Sequence, residues 1–280
     1  MVGTVRVATK ILEELLSRPE GTWTLTEAAL AISRLGKASL DDNPPRRSLD
    51  ELARQARRRI GQARHPRFVA GSLSLTLFDG FGLTCATREP LPEHCFLDAA
   101  LRERVASPEM TAVIFLELSR LSGHRFDAIG IPGRMLLKRD HADKPFLFDP
   151  TRRCEPIGLD DCRKLVSESR GGKGQFSDGH LRAITPSQVL ARLVGRLKDS
   201  YWRQNAHDEA LSAVGLMLTI RPDDPREIRD GGRLLFLLGR FPEAIRAFES
   251  YLVHNPRGED ADVVRMLIQE ARAGLPPSGG

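Results

Sequence analysis

The chain has 280 residues, 41% of them apolar and 28% charged, with 42 basic against 37 acidic side chains and a formal net charge of +5. That composition fills the core of one large domain or two modest ones, and it excludes collagen-like, wholly disordered and disulfide-dense classes. So small a net charge is no nucleic-acid signature, and aromatics at 6% supply no platform for stacking bases.

No apolar run reaches the length of a membrane span. The N-terminal segment carries charges at short intervals and has no small-residue cleavage site, so neither a span nor a signal peptide is expected. Cys85, Cys95, Cys154 and Cys162 form no CxxC pair and fit a reducing cytoplasm, which is the expected location.

Apolar positions three or four apart predict a helix over 5–18. Thr24 and Glu27 form a capping box for a second helix. DDNPPRR at 41–47 reads as a connector, because Pro44 and Pro45 restrict the residues before them. Ser48 and Glu51 then read as a second capping pair, ahead of a helix with Leu49, Leu52, Ala53, Ala56 and Ile60 on one face. Eight arginines lie between 46 and 67. The plain reading is a solvated face; the functional one is a docking surface for an acidic partner, with Arg54, Arg57 and Arg58 at its centre.

Residues 68–84 fit helix or strand. The segment before Ser107 ends in a helix, and Ser107-Pro108 is a cap followed by proline at the first helical position. The helix over 108–122 is apolar around most of its circumference, which predicts burial on several sides. Three strands follow at about 125–131, 134–139 and 145–149, read as an antiparallel meander, with HADK at 141–144 as its second turn. The polar, glycine-rich run 167–180 reads as a loop or boundary. Beyond it, HDEALSAVGLMLTIRP at 207–222 aligns with FPEAIRAFESYLVHNP at 241–256, an offset of 34 residues that matches the tetratricopeptide period. Helices are expected over 207–220, within 225–255 and over 260–273.

Candidate chemistry is sparse. Cys95 neighbours His94, and His124 lies in the turn before the sheet; with an acid they would supply a nucleophile and a base, whereas the plain reading is a small buried thiol beside packing histidines. The seven histidines are scattered, without HExxH or other metal spacing, and the glycine-rich GGRLL and GGKG lack phosphate-loop context, so no metal and no cofactor are expected. Asp149 closes the run FLFDP and either caps a turn or faces a cleft. Where a histidine would serve it stands Arg134, which stays charged and cannot shuttle a proton, so the two make an ion pair or a carboxylate-binding site.

HCFLDAALRERVASPEMTAVIFLELSRLSG, FDAIGIPGRMLLKR, FLFDP and LLFLLGRFPEAIRAFESYLVHNP, in that order, resemble the SirB1 family over roughly residues 20–275. The resemblance implies an α+β fold, a papain- or transglutaminase-like core of helices and a small antiparallel sheet, followed by an α-helical tetratricopeptide-like region. The expected division is 1–66 N-terminal helices, 67–180 core, 181–275 repeat helices and 276–280 tail. In transglutaminase-like enzymes a cysteine begins the central helix, a histidine comes from the sheet and an aspartate from the next strand. Here the helix start reads ASPEM without cysteine, the histidine position is Arg134, and Asp149 alone keeps its type. The expected function is therefore binding of a protein or peptide partner, through the cleft or the repeats or both, with Arg134 and Asp149 lining the cleft. The alternatives are a cysteine-dependent hydrolase or acyltransferase using Cys95, with His94, His124 and Asp149, or another enzyme with Arg134 as an anion clamp. Neither nucleic acid nor membrane is expected as a partner; self-association through an exposed repeat edge stays open.

Overall fold

The architecture is organised around one helix that is buried on nearly every side. The computed structural model describes residues 2–142, 144–169 and 174–274; the expected tail at 276–280 and the Asp143 position of the HADK turn lie outside the described residues. Helices α1 (Val2–Leu16), α2 (Leu25–Ser33), α3 (Asn43–Ile60) and α4 (Pro66–Ser74) come first, and a π-helical segment, Leu75–Gly80, continues α4. Then follow β1 (Thr84–Cys85), α5 (Leu97–Glu103), β2 (Val105–Ala106) and α6 (Pro108–Leu121). The sheet strands are β3 (Asp127–Ile131), β4 (Arg134–His141), β5 (Lys144–Asp149) and β6 (Glu155–Ile157). The chain closes with α7 (Leu159–Ser169), α8 (Pro186–Arg203), α9 (His207–Ile220), α10 (Pro225–Leu237), α11 (Phe241–His254) and α12 (Ala261–Ala273).

Local chemistry explains most boundaries. Thr24 accepts from the Glu27 amide and Glu27 accepts in return from the Thr24 amide, closing the capping box of α2. Ser107 accepts from the Met110 amide, and Pro108 occupies the first turn of α6. The expectation at 41–51 is corrected. The helix starts at Asn43, so Pro44 and Pro45 sit in its first turn, where a missing N–H costs nothing. Ser48 is then inside the helix, and Glu51 accepts from Arg54 and Gln55. Residues 66–80 are helical. At 167–180, the first three residues finish α7 and Asp178–Leu181 form a 3₁₀ turn.

The four strands pair antiparallel in the order β3-β4-β5-β6. β6 extends the expected three-stranded meander. Alternation divides the sheet into two faces. Ala128, Met135, Leu137 and Phe148 join the main core with α6, whereas Ile129, Ile131, Leu136 and Leu147 pack against Cys162 and Val166 of α7. Helix α6 is buried from Glu109 to Ser119. Its two carboxylates are each met by a partner from another segment: Glu109 receives a bidentate Arg196 from α8 at 2.9 and 3.0 Å, and Glu117 accepts from Thr26 of α2 at 2.6 Å, as well as from Arg120 one turn along α6.

Helices α9–α12 stack as antiparallel neighbours. Gly232 of α10 faces Phe248 of α11 so closely that a Cβ there would lie 2.6 Å from the ring, which sets how near the two helices come. The array is fixed to the core by charge. Lys198 of α8, buried together with Glu227, donates to Glu227 and to the half-buried Asp230 of α10, both at 2.8 Å, and Arg229 links Asp230 to Asp260. Burial works against the Lys198 charge, but the hydrogen bonds and charges of Asp230 and Glu227 outweigh it and hold the ammonium pKa above its ordinary value.

Removing that ammonium strands Glu227 and leaves Asp230 with Arg229 alone. Lys198→Met is expected to cost about 3 kcal/mol in urea unfolding, whereas Lys10→Met, at an exposed pair with Glu14, changes stability by less than about 1 kcal/mol.

Candidate functional site

The corner where the N-terminus of α6 meets the sheet gathers four segments. β4 begins at Arg134 after Gly133, whose φ of +72° is the left-handed conformation that glycine tolerates best. β5 ends at Asp149, which is 1% exposed. Asp149 Oδ2 accepts from Arg134 Nη1 at 2.5 Å, while Oδ1 accepts from the Thr151 amide at 2.9 Å and the Thr151 hydroxyl at 2.6 Å. The aspartate thus caps the 3₁₀ turn Pro150–Arg152 and at the same time pairs with the arginine.

A third segment brings an unforeseen cysteine. β1 pairs in parallel with β2, Cys85 against Ala106, immediately before α6. This places the Cys85 thiol by Thr111, within the electrostatic reach of Glu109, Asp149 and Arg134. Burial pushes its pKa up; the Thr111 hydroxyl opposes this, and the Glu109 and Asp149 charges add to it. The thiol is half-buried and protonated at neutral pH, hence a poor nucleophile.

The fourth contribution comes from α8. Arg192 lies over the start of the sheet, donating to the carbonyls of Ile131 at 3.3 Å and Arg134 at 3.4 Å. It fits because position 130 is glycine: a Cβ there would come within 2.4 Å of Arg192 Nη2. Burial lowers the Arg192 pKa. A glycine inside a strand signals such a close approach, and Gly130 was the sequence clue to Arg192. No comparable clue marks Cys85, whose position depends on pairing with a strand some twenty residues away.

The other candidates lie elsewhere. Cys95 is fully buried beside Ser107, and burial pushes its thiol up to about 12. His94 accepts through Nδ1 from the Leu91 amide. His124, at the far end of α6, lies 3.3 Å from Arg139, and its pKa is lowered by burial and by the charges of Arg139 and Arg64. Among the described residues no hydrogen bond joins Cys95 to an imidazole, and no three His, Cys, Asp or Glu side chains converge as a metal-ligand set. Arg54 is paired with Glu51, Arg57 donates to the Leu121 carbonyl, and Arg58 is exposed. What the corner assembles is a thiol, an acid and two guanidinium groups. Neither arginine can accept a proton from the thiol.

A buried helix start against an antiparallel sheet, carrying an acid at a strand end, defines a transglutaminase-like core, here followed by stacked helical hairpins. The chain belongs to the transglutaminase-like superfamily: that family's profile matches residues 45–195, and a tetratricopeptide repeat profile matches 197–269. This is the SirB1-like arrangement. The chain is similar to the UPF0162 protein of Pseudomonas aeruginosa, 30% identical over 253 residues, covering 87% of this chain and 84% of that one. It is 25% identical over 177 residues to the UPF0162 protein of Xylella fastidiosa, covering 62% of this chain and 63% of that one, and 24% identical over 176 residues to the Vibrio cholerae protein, covering 62% and 65%. The match thus spans less than two thirds of the length of these last two relatives. Among solved structures, menin aligns over 95% of this chain and 74% of its own, with a TM-score of 0.38 and 11% identity, too distant a likeness to carry an argument.

Thiol titration checks the corner. Cys85 is half-buried and the other three cysteines are buried. In the native protein at about pH 7.5 an aromatic disulfide reagent is expected to modify Cys85 alone, and slowly, with the others reacting after denaturation. Rapid labelling of Cys95 would contradict this geometry.

Proposed function

We propose that the protein is a non-catalytic member of its family that binds a protein or peptide partner through the cleft, the helical repeats, or both. The observation that carries this reading is the Arg134–Asp149 ion pair. The position at which acyl transfer needs a proton acceptor holds a group that is charged at every working pH. The acid that would orient a histidine is bonded to that arginine instead. The half-buried Cys85 is left without a base, and Cys95 is sealed in the core.

The repeats support the binding half of the proposal. Short helical arrays form extended surfaces for partner recognition. Leu237 of α10, Val253 of α11, and Val263 and Met266 of α12 are all exposed apolar side chains. Surfaces of this kind also serve self-association, so a second copy belongs among the partners to be tested. No helix of the described residues is long and apolar enough to cross a membrane. A cytoplasmic location is part of the proposal and fits four unpaired cysteines.

Photo-crosslinkers placed at Val253 and Met266 of the full chain are expected to trap a defined partner, and Val253→Glu with Met266→Glu is expected to abolish trapping without changing the melting temperature by more than a few degrees. The same preparation is expected to leave activated ester and amide substrates unhydrolysed. Turnover that disappears on Cys85→Ser or Cys95→Ser would overturn the reading.

A further inference from the structure

The arginine-rich stretch has a counterpart on the sheet. The last turn of α3 presents Arg57, Arg58 and Arg59, all exposed, and the link to α4 adds Arg64, His65 and Arg67. The outer ends of β4 and β5 come against this link. The His65 ring lies 5.3 Å from His141 and 5.1 Å from Phe146 between centroids, and the Arg67 guanidinium stands 5.8 Å over the Phe146 ring. Beside them Arg139 of β4 stands 5.4 Å over Phe126, with its Nη1 3.3 Å from His124 Nδ1. Two segments some seventy residues apart thus form one cationic surface.

Several arginines of the molecule meet carboxylates, as Arg134, Arg153, Arg196 and Arg229 do, and the cations gathered here do not. Among the described residues, Arg57, Arg58, Arg59, Arg64, Arg67 and Arg139 have no carboxylate within 4.0 Å; Arg57 and Arg64 reach backbone carbonyls only. The nearby Asp140 is paired with Lys138. The Arg64 charge also bears on Arg139, whose pKa is lowered by burial and by that neighbour. Gathering like charges costs stability, and a negatively charged ligand removes the cost. Arg67 and Arg139 stand over phenyl rings, so part of the entropy of ordering them is already lost before a ligand arrives.

An apolar feature selects the ligand class. Phe68, which follows Arg67 in the first turn of α4, is 54% exposed. An inorganic polyanion offers nothing to a phenyl ring, whereas a peptide offers carboxylates and an apolar side chain together. We propose that this surface, from the end of α3 across Arg64, Arg67 and Phe68 to Arg139, docks an acidic peptide segment that carries an apolar side chain among its carboxylates. The inference rests on the reading of the protein as a partner-binding member of its family and names the partner's chemistry.

The test uses the full chain and a fluorescein-labelled peptide of glutamates interspersed with leucine and phenylalanine, followed by anisotropy. Binding is expected to weaken about tenfold in Arg64→Ser/Arg67→Ser and with the glutamine version of the peptide, and to fall as salt rises. Phe68→Ser is expected to weaken binding while leaving the salt dependence unchanged. Arg152→Ser/Arg163→Ser, at exposed paired arginines elsewhere, is expected to bind as the parent does. All these side chains are exposed, so unchanged circular dichroism verifies folding. Equal binding of the glutamine peptide, indifference to the Arg64/Arg67 substitutions, or displacement of the peptide by tripolyphosphate or a single-stranded oligonucleotide at equal charge would overturn the proposal. The two readings fail separately. A partner trapped at Val253 or Met266 that Arg64→Ser/Arg67→Ser still captures at full strength defeats the acidic-peptide assignment alone. Absence of any trapped partner, with ester or amide turnover, defeats the binding reading itself.

Discussion

Asp149 carries a charge to the buried end of a sheet strand, and that charge has to be met. Taking an unpaired carboxylate out of water costs several kcal/mol. Arg134 meets it from the start of the neighbouring strand, and Thr151 fills the other oxygen with two hydrogen bonds. The chemistry of the corner follows from this arrangement. An acid bound to arginine has no imidazole to orient, and a thiol beside a guanidinium has no group to take its proton.

The same device recurs through the molecule at larger scale. Glu109 of the central helix is gripped by Arg196, Glu117 by Thr26 and Arg120, and the Glu227–Asp230 pair by Lys198. All but the Arg120 contact join segments far apart in sequence, and with Arg192 on the carbonyls of Ile131 and Arg134 the N-terminal helices, the central helix, the sheet and the repeat array are tied by directional contacts as well as by the apolar core. Breaking such a pair on one side is expensive, even where the intact pair adds little net stability. The basic surface on the α3–α4 side follows the opposite rule. Among the described residues its arginines have no carboxylate within 4.0 Å, so their charge is left for the ligand that we propose.

Features fixed by neighbouring residues were legible in the sequence. The capping box at Thr24, the Ser107-Pro108 start of the central helix and the 34-residue repeat offset each depend on a few adjacent side chains or on one period. Arg134 and Asp149 could be paired on paper because both stand at strand ends flanked by turns. Misreading began where a local signal has two meanings. Pro44 and Pro45 suggest a connector, yet proline also suits the first turn of a helix, and α3 starts there. β6 is three residues long with proline at its centre and has no pattern of its own. Cys85 was missed because its place is set by a two-residue parallel pairing that no local periodicity announces.

The most direct measurement is a double-mutant cycle on stability. Arg134→Met, Asp149→Asn and the double variant are unfolded in urea beside the parent chain. The account predicts that Arg134→Met alone costs about 2 kcal/mol, less than for a fully buried pair because the arginine side chain is 34% exposed. It also predicts that the double variant recovers much of that loss, giving a coupling of about 1–2 kcal/mol. Additive effects within about 0.5 kcal/mol would mean that the arginine and the aspartate act independently, leaving Asp149 free to serve another group.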